Sequence, residues 1–256
     1  MTKPLTIAAI GFWHVHASDY ATAAQEHPGT ELVAIWDDDE QRGREAAASY
    51  GVEFVADLDE LLARPGLDGV TVTTATNQHR DVILRAIAAG KHVFTEKVLA
   101  ATVADAEELI AAASRLEGTV RRLTDYGAFI DLGCHPVYLT RLFQRAEPLT
   151  VSAAFGSITG RAVEDNAVVT ETFPGGAIGV LETSVVAAPH AFGIELRGTG
   201  GAAIYDGERL LVSGGRYGEG WSELPVPDGV PGAFDQWVDH IHAGTVAEDN
   251  LRHALE

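Results

Sequence analysis

The chain has 256 residues, 46% of them hydrophobic. That is enough for a sizeable core in one large domain or two modest ones, and too much for an intrinsically disordered protein. Its 18 Lys and Arg stand against 37 Asp and Glu, and a net charge of −19 repels phosphate backbones and anionic surfaces, so neither nucleic acid nor a membrane is expected as a partner. A single cysteine, Cys134, excludes a disulfide framework and any multi-cysteine metal site, and it points to a reducing cytoplasm. The first apolar run falls far short of the roughly 20 residues a membrane-spanning helix needs, and histidines follow it where an export signal would have a small-residue cleavage site.

Residues 5–10 form a short apolar run ending at Gly11, the pattern of a buried strand that meets a tight turn. A helix is predicted over 17–26, stopped by Pro28-Gly29, and a second buried strand over 31–36 is closed by Asp37-Asp38-Asp39. Helix 40–50 ends at Gly51, and a short helix over 57–63 stops before Pro65. The Val- and Thr-rich segment 69–74 reads as a third strand, 80–89 as a helix ended by Gly90, and 92–95 as a fourth strand. Helix 102–115 carries Asp105 in its first turn, where a negative charge suits the helix dipole. Strand and helix alternating in this way predict an α/β fold, a doubly wound parallel sheet with helices on both faces.

The second half has a different rhythm. A helix over 127–143 contains Pro136, and β-rich runs follow at 149–155, 167–173, 177–186, 192–197, 202–205 and 209–212. Gly175-Gly176 and Gly200-Gly201 stand where hairpin connections belong, and consecutive strands without helices between them predict a mostly antiparallel sheet. A helix over 234–243 and a helical fragment from Glu248 come last. The boundary is predicted near 116–126, which gives domains of 1–120 and 121–256.

Gly11, a helix and then Asp37 after the second strand follow the ground plan of a dinucleotide site, in which the acid accepts hydrogen bonds from the adenosine ribose. Two adjacent carboxylates, Asp37 and Asp38, repel a 2′-phosphate and favour NAD over NADP. Trp13 and His16 occupy the second and third glycine positions of the fingerprint. His14 and His16, two apart after a strand, also suit a metal, but His79, His92 and His135 follow no order that would complete its ligand set, and no metal is expected.

Glu96-Lys97 follows the fourth strand directly, at the sheet end where such folds bind ligands, and a lysine there can hold a substrate hydroxyl. Asp131 and His135 are spaced to share one helical face, so that the carboxylate orients an imidazole able to take the hydroxyl proton. Cys134 reads as a small packed residue. The polar stretch from Arg161 to Asn166 lies between two predicted strands, where it forms a turn or contacts a hydroxylated substrate.

The run Ala89-Gly90-Lys91-His92-Val93-Phe94-Thr95-Glu96-Lys97 and the run Asp131-Leu132-Gly133-Cys134-His135-Pro136 carry a resemblance. With the Gly11 turn, Asp37, and Thr73-Thr74 leading to His79, the chain resembles the glucose-fructose oxidoreductase / inositol dehydrogenase / MocA (Gfo/Idh/MocA) family over most of its length. The resemblance implies an N-terminal Rossmann domain, a C-terminal α+β domain whose open sheet makes homo-oligomers, and NAD-dependent hydride transfer at a sugar or polyol hydroxyl. It implies Lys97, Asp131 and His135 as catalytic residues, with Lys97 and His135 touching substrate beside Arg161 and Asn166. It also implies Gly11, Phe12, Trp13, His14, Asp37, Thr73, Thr74, His79 and Glu96 as the cofactor contacts.

The chain departs from the family at four points. Trp13 and His16 stand in the glycine fingerprint, Val98 replaces the proline that usually follows Glu-Lys, Tyr138 stands where an acid often follows the histidine, and only 34 residues separate Lys97 from Asp131. The family usually places a further strand, helix and strand there, a unit of about 30 residues or more. The shortened interval predicts a Rossmann sheet without its last strands, leaving an edge and an apolar face either covered by a partner subunit or responsible for marginal stability. The competing functional readings are a non-catalytic dinucleotide- or sugar-binding relic and a metal-dependent hydrolase built on His14 and His16.

Overall fold

The computed structural model describes residues 3–113, 128–160, 162–187, 192–248 and 250. The chain divides into two compact units, Met1–Ser184 with Gly232–Glu256, and Val185–Pro231. The predicted boundary at 116–126 lies outside the described residues, as do the last residues of the predicted helix 102–115 and most of the fragment that begins at Glu248.

In the first unit, β1 (Leu5–Ile10), β2 (Thr30–Trp36), β3 (Glu53–Phe54), β4 (Gly69–Val72) and β5 (His92–Thr95) form a parallel sheet in the order β3-β2-β1-β4-β5. Among the described residues this is the Rossmann order without a sixth strand, as the shortened interval predicts. The helices α1 (Ala17–Glu26), α2 (Glu40–Tyr50), α3 (Leu58–Leu62), α4 (Thr76–Ala88) and α5 (Val103–Ala113) alternate with the strands. The pleat of β1 sends Ile7 and Ala9 towards α1 and α2, where Ala21, Ala24 and Ala47 meet them. Ala8 and Ile10 go to the opposite face, against Leu61, Ile83 and Leu109 of α3, α4 and α5. A strand covered on both sides has no use for alternation, which is why residues 5–10 read as a continuous apolar run.

Local chemistry sets the helix ends. The Asp39 carboxylate accepts the Arg42 backbone N–H at 3.0 Å and opens α2, and Gly51 closes it in the left-handed conformation at φ 67°. Asp57 opens α3 by accepting from Asp59 and Glu60. α4 starts at Thr76 rather than at the expected Arg80, because its first turn is polar yet buried at Thr76 and His79, and an apolar period misses it. β3 was not expected, being two residues long and without a period.

The apolar face expected to lie open beside the last strand is covered from within the chain. α8 (Ala233–Ala243) places Phe234 and Trp237 against Phe94 of β5, at ring-centroid distances of 5.5 and 5.7 Å. Phe234, Trp237 and Val238 are buried there in one cluster with Ile7, Ala9 and Ile35. Each such side chain contributes roughly 1.5–3 kcal/mol by leaving water.

The rest of the first unit consists of α6 (Ala128–Leu132), α7 (Cys134–Gln144) and an antiparallel sheet of β6 (Thr150–Gly156), β7 (Asn166–Thr172) and β8 (Ile178–Ser184) in chain order. The inward face of this sheet buries Ala167, Val169 and Leu181, and Thr140 of α7 donates its hydroxyl to the buried Glu171 at 2.9 Å. Its outward face leaves Val168, Ile178 and Val180 exposed. Pro136 sits in the first turn of α7, where its missing N–H has no helical partner to lose.

The second unit is a four-stranded antiparallel sheet of β9 (Ile194–Gly198), β10 (Gly201–Tyr205), β11 (Leu210–Gly214) and β12 (Ser222–Leu224) in the order β12-β11-β10-β9. β12, at three residues, was not expected. Among the described residues no helix is long and apolar enough to cross a membrane.

Candidate active site

The turn after β1 is pinned to the ends of β2 and β4. Gly11 adopts φ +85°, and a Cβ built on it would lie 2.6 Å from Thr74, so only glycine fits this crossing. Its N–H donates to Trp36 O at 2.8 Å, and Thr73, leaving β4, donates its hydroxyl to Gly11 O. The Thr74 hydroxyl is buried beside the loop without a hydrogen-bond partner among the described residues. Phe12 turns its ring into the apolar cluster, 6.0 Å from Tyr50. The indole of Trp13 is 40% exposed.

Asp37 does not present a free carboxylate to a ribose. It is buried, and its Oδ2 accepts Phe12 N at 2.6 Å and Arg42 Nε at 3.0 Å, while its Oδ1 accepts Asp39 N at 2.8 Å and Arg42 Nη2 at 2.6 Å. Four donors exhaust its capacity and make it a latch between the Gly11 loop and α2. The acid with open surface at this edge is Asp38, held by Arg42 Nη2 at 2.7 Å and by Gln78 Nε2 at 2.6 Å. Partial burial works to raise its pKa, but the bonds from Gln78 and the Asp37 side together with the Arg42 charge outweigh it and hold the carboxyl below its ordinary value.

His79, expected at the cofactor, is fully buried with Nε2 2.7 Å from Thr74 O, so its imidazole shapes the β4–α4 turn instead.

Beyond β5 lies a second cluster. Lys97 Nζ sits 3.2 Å from both the backbone oxygen and Oδ1 of Asp131, which brings the end of β5 to the C-terminal part of α6. The pair is partly screened, with side chains 20% and 33% exposed. Glu96 is buried and accepts the Tyr20 hydroxyl from α1 and the Lys97 N–H at 3.1 Å. Tyr20 was missed in the sequence, although its inward position on α1, 4.9 Å from the Phe94 ring, is a readable signal. The Lys97–Val98 peptide is cis.

His14 joins this cluster from the Gly11 loop. Its N–H donates to Thr73 O at 3.3 Å, and its Nδ1 accepts the His16 N–H at 3.2 Å. Burial lowers its pKa; Glu96 raises it, His16 and Lys97 lower it further, and Asp131 opposes them.

Asp131 lies near the end of α6 and His135 in the first turn of α7, and Gly133 between them keeps helical angles (φ −68°, ψ −21°) while packing so tightly that a Cβ would come within 2.3 Å of Phe129 O. Asp131 meets Lys97, and His135 is exposed. Cys134 is partly buried, its Sγ 3.4 Å from Asp131 O, and burial pushes its thiol pKa up.

The polar stretch after β6 serves the fold. Glu164 accepts Ala128 N and Phe129 N at the start of α6. Asp165 gathers Ile158 N, Thr159 N, the Thr159 hydroxyl and Asn166 Nδ2, and these bonds hold its carboxyl far below the usual range. Asn166 is thus committed to Asp165 at 2.7 Å, and Arg161 lies outside the described residues. Among the described residues no three His, Cys, Asp or Glu are placed to hold a metal ion.

Comparison with known proteins gives a consistent result. A family model described as an oxidoreductase family with an NAD-binding Rossmann fold matches residues 5–122, and the model of the GFO/IDH/MocA C-terminal domain matches residues 111–204. The chain is 38% identical over 98 residues to a 1,5-anhydro-D-fructose reductase of Ensifer adhaerens, a match covering 38% of this chain and 29% of that protein. It is 33% identical over 116 residues to an NAD(+) scyllo-inositol 2-dehydrogenase of Bacillus subtilis (strain 168), covering 45% and 32% respectively. These matches span about a third of each relative's length. A 3-ketoreductase from Actinomadura kijaniata, solved with TDP-benzene and NADP, shares the fold at a TM-score of 0.81 and 20% identity, over 99% of this chain and 94% of that one.

Proposed function

Because the chain belongs to the Gfo/Idh/MocA family of NAD-binding oxidoreductases, we propose that it is an NAD-dependent enzyme that oxidises or forms a hydroxyl group on a sugar or polyol. The observation that carries this reading is the Lys97–Asp131 pair, set at the carboxyl end of β5 in the crevice where open α/β sheets take their ligands.

The residues fit a dinucleotide with one exchange of roles. The Gly11 turn leaves a cradle that any Cβ would fill, and Thr73 fixes its backbone. Asp38 takes the ribose position first given to Asp37, and a second carboxylate beside it favours an unphosphorylated ribose, hence NAD over NADP. When bound, the nicotinamide supplies the two-electron hydride chemistry.

The rest falls to the side chains. Lys97 holds the substrate oxygen and manages its proton, Asp131 orients the ammonium group, and His135, on the exposed first turn of α7, supplies the second polar contact to substrate. Glu96 acts beneath the site, fixing the Lys97 backbone rather than touching ligand.

The cofactor role belongs to residues 1–120, and the catalytic helix, substrate contacts and oligomer contacts belong to 121–256, with α8 crossing back over that division. The outward face of β6–β8, with Val168, Ile178 and Val180 exposed, is the surface for a homo-oligomer, and a lone free cysteine suits the cytoplasm.

Calorimetric titration with NAD and NADP, followed by NADH production across a panel of sugars and polyols, tests the reading. NAD binding tighter than NADP together with turnover on at least one member is expected. NAD binding without turnover supports the relic, and no binding of either cofactor overturns the proposal.

A further inference from the structure

The scheme above gives no task to His14, a titratable group within reach of the Lys97 charge. It sits three residues past Gly11, on the loop between β1 and α1, and its backbone N–H is tied to Thr73 O at 3.3 Å, which holds its main chain at the end of the sheet. Its ring stacks obliquely near His16, with centroids 5.2 Å apart. The His16 N–H donates to its Nδ1 at 3.2 Å. A backbone N–H can only donate, so Nδ1 must be the acceptor and the neutral ring carries its proton on Nε2.

We propose that His14 is a catalytic-site residue, a neutral imidazole fixed as its Nε2–H tautomer that donates a hydrogen bond to a hydroxyl or carbonyl oxygen of the substrate at the Lys97–Asp131 centre. The inference rests on the functional reading above and extends it to a specificity-determining contact. The charged and titratable groups that act on the ring are Glu96 and Lys97 from the end of β5, Asp131 from α6, and His16 from its own loop. Partial burial, His16 and Lys97 together keep it uncharged, against Glu96 and Asp131.

An uncharged donor suits an uncharged oxygen. For a diphosphate, a protonated ring would bind better, and here burial with His16 and Lys97 outweighs the two carboxylates that favour protonation. His14 keeps its proton throughout, so the proton balance of the reaction stays with Lys97. Gly and small residues usually fill this loop so that backbone can approach a phosphate, whereas a histidine locked in one tautomer adds a directional donor.

Two measurements decide the matter. Nitrogen NMR of the ligand-free protein is expected to show His14 neutral at pH 7 with Nε2 protonated, titrating below an ordinary histidine. An Nδ1–H tautomer or a charged ring at pH 7 overturns the proposal. In steady-state kinetics with NAD and the best substrate of the panel, His14→Ala is expected to lose about tenfold or more in kcat/KM, with the NAD dissociation constant within about twofold of wild type. His14→Gln, whose amide N–H reaches about as far as Nε2, recovers most of the loss, and the shorter His14→Asn recovers little.

An equal loss of NAD affinity in His14→Ala places the residue on the cofactor and overturns the proposal. So does unchanged kcat/KM in His14→Ala. Wild-type protein that turns over no substrate refutes the functional reading and this inference together. Wild-type turnover with an indifferent His14→Ala refutes this inference alone.

Discussion

Arg42 closes its guanidinium on the buried carboxylate of Asp37, with Nε 3.0 Å from one oxygen and Nη2 2.6 Å from the other, and reaches Asp38 with the same Nη2 at 2.7 Å. Neighbouring acids thus have opposite surroundings. One is sealed into the fold, and the other stays exposed at its surface.

Substitution separates the two acids. Asp37→Ala leaves the Phe12 and Asp39 N–H groups and the Arg42 charge without their acceptor, and a loss of about 2–4 kcal/mol is expected in urea unfolding. Asp38→Ser should leave stability within about 0.5 kcal/mol. It also removes a charge that repels a 2′-phosphate and frees an Arg42 edge to meet one, so NADP should bind roughly tenfold tighter and NAD more weakly. Paired calorimetric titrations check this; an Asp38→Ser protein with the wild-type preference would return the ribose contact to another residue.

Lys97→Ala is expected to lower kcat by about 10²–10⁴-fold while NAD affinity stays within about twofold. Asp131→Asn keeps the shape but removes the charge that faces Lys97, and a smaller loss, about tenfold, should follow. Full turnover in Lys97→Ala would remove the lysine from the chemistry.

The aromatic contact between α8 and β5 is open to a stability measurement. Trp237→Ala deletes a buried ring against Phe94 and should cost about 3–5 kcal/mol. Trp237→Phe should cost much less, since the indole N–H is buried without a hydrogen-bond partner among the described residues and its removal relieves a desolvated donor. Denaturant midpoints of the two variants give the comparison.

The turn between β10 and β11 makes a pH prediction. The Arg209 backbone N–H and side chain, with the Glu208 N–H, hold Asp206 down to a pKa of about 2. A folded-state pKa below the unfolded one stabilises above the unfolded value, and that contribution disappears as pH falls through the folded value. Wild type should therefore lose a local stabilisation between about pH 4 and pH 2 that Asp206→Asn lacks at every pH. Amide exchange at Glu208 and Arg209, compared between the two proteins across that window, reads it out.

Much of the parallel sheet was legible because β1, β2, β4 and β5 are buried on both faces and stand out as apolar runs with glycine or aspartate at their ends. The Lys97–Asp131 pair was reachable through the resemblance and its motif order. The role of Asp37 was not, since its burial depends on Arg42 folding back from the first turn of α2, and no simple sequence period reports such a closure. The Asp131–His135 spacing suggested one continuous helix, and the division into α6 and α7 at Gly133, where close packing on Phe129 leaves no room for a Cβ, has no periodic signal in the sequence. The Tyr20–Glu96 bond and the α8–Phe94 contact join residues distant in sequence, for which local pattern carries no signal.

That last contact has a consequence for synthesis. β5 emerges from the ribosome well over a hundred residues before Trp237, and until α8 arrives Tyr20 alone of the rings that pack on Phe94 in the finished cluster has been made. The nascent amino-terminal region is therefore a natural client for chaperones, and its maturation must wait until translation has passed α8.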